Sequence, residues 1–118
     1  MKIIYVLGKY SVGTYSEIED NIRKAEEVSI KLLAAGWCVI TPHKNYSHYE
    51  KYTASNEKLN YQFFMQCDLV ILSRCDAAFA MINWENSPGS EREIYLTKKK
   101  NIPVFYEAYG IPDPSDIK

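Results

Sequence analysis

The sequence predicts an α/β fold: a three-layer, doubly wound parallel sheet of four to five strands in the order 2-1-3-4. Short, continuous, β-rich apolar runs recur along the chain, and they alternate with longer segments of helical period. Such alternation builds βαβ units and a parallel sheet covered on both faces. Right-handed crossovers then wind the sheet outward in both directions from its first strand.

Ile3-Ile4-Tyr5-Val6-Leu7 is apolar throughout and ends at Gly8, as a buried strand does. Strand alternation sends Tyr5 and Leu7 to one face and Ile4 and Val6 to the other. Residues 9–16 form a loop, and Ser16, followed by Glu17 and Glu19, starts a helix. Ile18, Ile22, Ala25, Ser29 and Leu32 give that helix its apolar stripe, and Gly36 stops it. Trp37 to Thr41 is the second strand, closed by Pro42. Residues 43–55 are polar and rich in tyrosine (Tyr46, Tyr49, Tyr52), a long loop for a compact domain and so a candidate lid or binding loop. A helix runs from about Asn56 to about Ser73, and a third strand from Ala77 to Ile82. Asn83 to Ser90 is a turn-rich connection, a helix follows to about Lys100, and Pro103 to Tyr106 is the last strand. The tail, with Pro112 and Pro114, is read as reaching over a neighbour. Loops 8–16, 42–55 and 83–90 meet at the carboxyl ends of the strands, where ligands bind on Rossmann-like and flavodoxin-like sheets.

A chain of 118 residues fits one domain, spanning 1–118. A net charge of −1 supplies no broad field to recruit nucleic acid or an anionic membrane. No apolar stretch approaches the ~20 residues of a membrane span, and the first strand lacks the long apolar core of a signal peptide. The three cysteines (Cys38, Cys67, Cys75) sit in or beside apolar runs with no Cys-x-x-Cys, which reads as reduced, buried thiols of a cytoplasmic protein. His43 and His48 lie in a loop without cysteines or carboxylates at ligand spacing, so no metal and no cofactor is expected.

Two segments stand out chemically. Asp68 occupies a slot on the apolar helical face of Phe64, Met65, Ile71 and Leu72. A carboxylate there is either paired or desolvated, and desolvation raises its pKa toward that of a proton donor near neutral pH. Asn86-Ser87-Pro88-Gly89-Ser90-Glu91-Arg92-Glu93 opens a helix: Pro88 suits its first position, Gly89 lets a ligand approach the backbone, and the free N–H groups attract a phosphate or carboxylate. The same segment also reads as plain capping, with Ser87 as N-cap or Ser90 and Glu93 as a capping box. Gly8-Lys9-Tyr10-Ser11-Val12-Gly13 resembles a phosphate-cradling loop, in which Lys9 pairs with a phosphate or stays solvated.

Taken in order, Tyr5-Val6-Leu7-Gly8, Pro42-His43, Cys67-Asp68-Leu69, Cys75-Asp76-Ala77, Ser87-Pro88-Gly89-x-x-x-Glu93 and Ile102-Pro103-Val104 resemble the layout of the nucleoside 2-deoxyribosyltransferases and their relatives, the 2′-deoxynucleoside 5′-monophosphate N-hydrolases. The resemblance covers about residues 2–106 and is similar to a small bacterial and phage subgroup that begins with a strand and Gly-Pro-Tyr; here Lys9 replaces the proline. It implies that Glu93 is a nucleophile toward the anomeric carbon, that Asp68 assists departure of the base, and that Tyr5 orients the nucleophile. It implies substrate contacts from Gly8, Lys9, Tyr10, His43, Trp84, Ser87 and Gly89, with Trp84 and the loop tyrosines stacking on a base. Serine at position 87, where the transferases carry an acidic residue, points to a 5′-monophosphate and an N-glycosidase; a deoxyribosyltransferase is the close alternative. A non-catalytic nucleotide-binding module and a pure interaction domain are the alternatives from other classes. The resemblance also implies a small-molecule nucleotide or nucleoside as partner and a homodimer or higher oligomer.

Overall fold

Ile3–Leu7 forms β1 in the computed structural model, which describes residues 1–10, 14–45, 49 and 53–117. The run is buried because it has a strand on each side, β2 (Cys38–Ile40) and β3 (Ala77–Ala80), with β4 (Val104–Tyr106) outside β3. All pairs are parallel and the order is β2-β1-β3-β4, as predicted. The third strand stops at Ala80, short of Ile82, whose N–H leaves the sheet to donate to Glu107 Oε1.

Among the described residues four α-helices flank these strands: α1 (Tyr15–Ala34), α2 (Pro42–Asn45), α3 (Tyr61–Leu72) and α4 (Pro88–Lys99). Ala25, Val28 and Leu32 of α1 pack on Ile4, Val6, Ala77 and Phe79, and each buried Val or Leu contributes about 1.5–3 kcal/mol. Leu72 of α3 and Ile94 of α4 pack with Tyr5, Leu7, Ala78 and Ala80 on the opposite face. Alternation along β1 thus divides the core into two clusters, and the helices on either side complete three layers.

Local chemistry sets the helix starts, and it moves two of them. Thr14, not Ser16, caps α1, because Glu17 then falls at the third helical position and returns the bond to Thr14 in a reciprocal capping box. Helix α3 begins at Tyr61, five residues later than the expected Asn56: Asn60 Oδ1 accepts from Phe63 N–H, while Asn56 is spent on a turn to Lys58. Gly36 ends α1 as expected, at φ +105°, a conformation glycine adopts without strain. Helix α4 starts at Pro88 with Ser87 as N-cap.

Two further features bear on function. Helix α3 is apolar on nearly every side, yet Leu72 is its one buried residue, and Phe63 and Val70 are exposed. The tail folds back on its own chain: Trp37 Nε1 donates to the Pro112 carbonyl at 2.8 Å, and Ile117 packs on the α1-side cluster. Among the described residues no helix is long and apolar enough to cross a membrane.

Candidate active site

The site is anchored in the middle of the sheet. Tyr5, fully buried on β1, points to the α3–α4 side, and its hydroxyl donates to Glu93 Oε2. Glu93 lies on the buried stripe of α4 with Ser90, Ile94 and Thr97, a spacing that turns all four toward the sheet. The Ser90–Glu93 capping box does not form, since Pro88 sets the helix start one turn earlier and Tyr5 takes the carboxyl instead.

Burial pushes Glu93 from an ordinary 4.5 up to about 8; the Tyr5 hydrogen bond opposes the rise, and the charge of Asp68 adds to it. Burial likewise pushes Asp68 up to about 6. Burial and the two neighbouring carboxyls hold the Tyr5 phenol well above its usual 10.0, so it remains a donor. The charge of Asp68 reaches both Glu93 and Tyr5, and the two carboxyls carry pKa values pushed apart, the arrangement from which acid and base roles arise.

Glu93 and Asp68 line one cavity of about 760 Å³, a volume suited to a nucleoside-sized ligand. Leu7, Gly8 and Tyr10 bound it at the end of β1, Pro42 and His43 on α2, Tyr61, Phe64, Met65 and Asp68 on α3, and Ser87 to Ser90 with Glu93 on α4. Among the described residues, three buried polar atoms on its wall have no hydrogen-bond partner: Asp68 Oδ1, Ser90 Oγ and His43 Nδ1. An orphaned buried hydroxyl or amide costs about 1–3 kcal/mol, so such groups mark places where something else binds.

The loop after β1 is held by its backbone. Lys9 N–H donates to Asn83 Oδ1 at 3.1 Å, and the Lys9 carbonyl takes a bond from His43 Nε2 at 3.0 Å. Because a carbonyl only accepts, Nε2 carries the proton and Nδ1 is left as an acceptor. Burial lowers the His43 pKa and keeps the ring neutral, although the Lys9 and Gly8 carbonyls favour its charged form. Gly8 is required sterically: a Cβ there would meet Met81 Sδ at 2.8 Å and Asn83 Oδ1 at 2.9 Å.

Most of the sequence-predicted residues converge. Glu93, Asp68, Gly8, Tyr10, His43, Ser87 and Gly89 all line the cavity, and Tyr5 reaches it through Glu93. Two do not. Trp84 is absent from the lining and packs on Tyr106 instead, ring centroids 5.8 Å apart, so it is not placed to stack on a base there. The Lys9 side chain is also absent from the lining; only its backbone is used. Gly89 serves a different approach from the one expected, for the space over it is filled by Met65 Cε and the Tyr61 hydroxyl, 2.8 and 3.3 Å from where a Cβ would stand. Tyr49 lines the cavity, whereas Tyr46, His48 and Tyr52 lie outside the described residues. Ser90, Tyr61 and Phe64 line the cavity without being expected from the sequence; the signal for Ser90 is its three-residue offset from Glu93, which also matches a helix cap.

Residues 2–107 match the model of a family described as a domain of unknown function, DUF7768. No curated protein matches the chain. Among solved structures, that of the 2-deoxyribosyltransferase from the psychrotolerant bacterium Bacillus psychrosaccharolyticus is similar, with a TM-score of 0.59 and 22% identity over 88% of this chain and 70% of that one. At that identity the likeness speaks for the fold, a parallel sheet of the same kind.

Proposed function

The chain belongs to the DUF7768 family, and we propose that it is an N-glycosidase that removes the base from a nucleoside 5′-monophosphate through the Glu93 carboxylate. One observation carries the reading: a carboxyl aimed by a core tyrosine shares a cavity with a second, desolvated carboxyl. In this chemistry Glu93 attacks the anomeric carbon as the bond to the base breaks, giving a glycosyl ester, and Asp68 delivers a proton to the departing base. The positive charge that develops on the sugar favours the ionised form of Glu93, and the Tyr5 hydroxyl fixes the attacking group's direction. Water, giving a proton to the Asp68 carboxylate, then attacks the anomeric carbon and releases the Glu93 carboxylate, which restores both groups. Ser87 and the first turn of α4, on the same wall, suit a 5′-phosphate.

A second reading has its own support. The described lining holds the carboxyls of Glu57, Asp68 and Glu93 and, among the described residues, no lysine or arginine, which suits an uncharged 5′ end and a deoxyribosyltransferase. The test is base release from nucleosides and their 5′-monophosphates, ribo and deoxy, with and without a second free base. Release from monophosphates by water alone is the expected result. Release from free nucleosides that needs a second base transfers the proposal to the second reading, and no release from any of them removes both.

A homodimer is part of the proposal, supported by the apolar, largely uncovered α3. Light scattering is expected to give twice the mass of one chain; a monomer at micromolar concentration overturns it.

A further inference from the structure

The hydroxyl of Ser90 is the most completely buried of the unpartnered polar groups in the cavity wall, at 1% residue exposure. Its isolation follows from its position. Buried hydroxyls elsewhere in the helices bond back to the preceding turn, Ser29 to the Ala25 carbonyl at 2.7 Å and Thr97 to the Ile94 carbonyl at 2.6 Å. Ser90 is the third residue of α4, so no full turn of helix precedes it to offer the carbonyl four residues back. Ser87 Oγ bonds the Ser90 backbone N–H, which leaves the Ser90 side chain with nothing to hold. An alanine would fill the same space without that penalty.

Ser90 also stands one helical turn before Glu93 on the same face, so hydroxyl and carboxyl look out of one wall. A carboxylate that attacks the anomeric carbon approaches from the side opposite the base. In a β-nucleoside that side bears the 2′ and 3′ hydroxyls. We propose that Ser90 is a specificity-determining residue whose hydroxyl is reserved for a ring hydroxyl, 2′ or 3′, of the bound sugar. This rests on the reading of the cavity as a nucleoside site and adds to it the group that reads the sugar.

The test measures binding rather than turnover. Ser90→Ala is made in the Glu93→Gln background, so that no probe is consumed. The unfolding temperature is recorded alone and with purine and pyrimidine nucleosides and their 5′-monophosphates in ribo, 2′-deoxy and 3′-deoxy forms. Without a probe, Ser90→Ala melts at the same temperature or higher. With a probe, the Ser90 protein prefers the form carrying one particular hydroxyl by about tenfold in affinity, and Ser90→Ala loses that preference while binding the form that lacks it as before. Equal discrimination with and without Ser90 overturns the inference, as does a lower melting temperature of unliganded Ser90→Ala, or a failure of every probe to stabilise either protein. Sugar-dependent binding through Ser90 with no base release by the wild type would sustain the inference while removing the glycosidase reading.

Discussion

Glu93→Gln lowers base release by about 10³-fold or more and raises the unfolding temperature at pH near 7. Glutamine keeps the size of the side chain and an oxygen to accept the Tyr5 hydroxyl, but it cannot form the glycosyl ester. Stability rises because Glu93, ionised in the unfolded chain at neutral pH, must take up a proton to be buried, whereas glutamine needs none. The pH dependence does change. The unfolded chain gives up the Glu93 proton near 4.5 and the folded one near 8, so between those values the folded state holds more protons. That contribution to stability is complete below about 4.5 and lost as pH rises through about 8. Differential scanning calorimetry across this range should show wild-type stability falling with pH, and falling less steeply in Glu93→Gln. Undiminished turnover in the variant removes Glu93 as nucleophile, and an equally steep fall removes its raised pKa.

Asp68→Asn lowers neutral-pH turnover by about 10²-fold and abolishes the alkaline fall of the pH profile. The proposed step needs Glu93 ionised and Asp68 protonated, the less populated arrangement of the singly protonated pair. Raising the pH through about 6 takes one proton from the pair and creates that arrangement in fixed proportion; passing about 8 takes the second and destroys it. The wild-type kcat/KM profile is therefore a bell whose limbs, near about 6 and about 8, belong to the pair. With asparagine at 68 only Glu93 titrates, and activity climbs with pH to a plateau. A bell that survives in Asp68→Asn assigns the alkaline limb to another group.

Strand order was legible because it follows from general rules: apolar runs separated by helices, right-handed crossovers, and a first strand apolar on both faces. The Glu93–Asp68 pairing was legible only once several short motifs were read together, since each alone also describes a helix cap or a core polar residue. The misses share a physical origin in competition between local patterns. Thr14 and Ser16 can both cap α1, and Glu17 decides between them by its distance from each. Ser90 matches a capping box, but Pro88 starts the helix earlier and gives the cap to Ser87. Trp84 is next to the site in sequence, yet Tyr106 from the adjoining β4 offers its ring a partner that no local pattern reveals. The Lys9 charge is conspicuous in the sequence, whereas its use of backbone N–H and carbonyl is visible only when Asn83 and His43 are in place.

Tyr5 sits at the centre of the sheet, paired on one side opposite Ile40 and on the other opposite Ala78, so the hydroxyl that aims Glu93 cannot shift unless the parallel ladder opens from its middle. The α3 wall beside it presents Tyr61, Phe64 and Met65, half-buried or exposed on a helix with a single buried residue. The cavity thus has walls of unequal cover, with Asp68 carried on the exposed one and Ser90 beside Glu93 on the buried one. Tyr61, Phe64 and Met65 can be exchanged without moving Tyr5 or Glu93, so the part of a ligand that meets them is the part this scaffold can re-specify most freely.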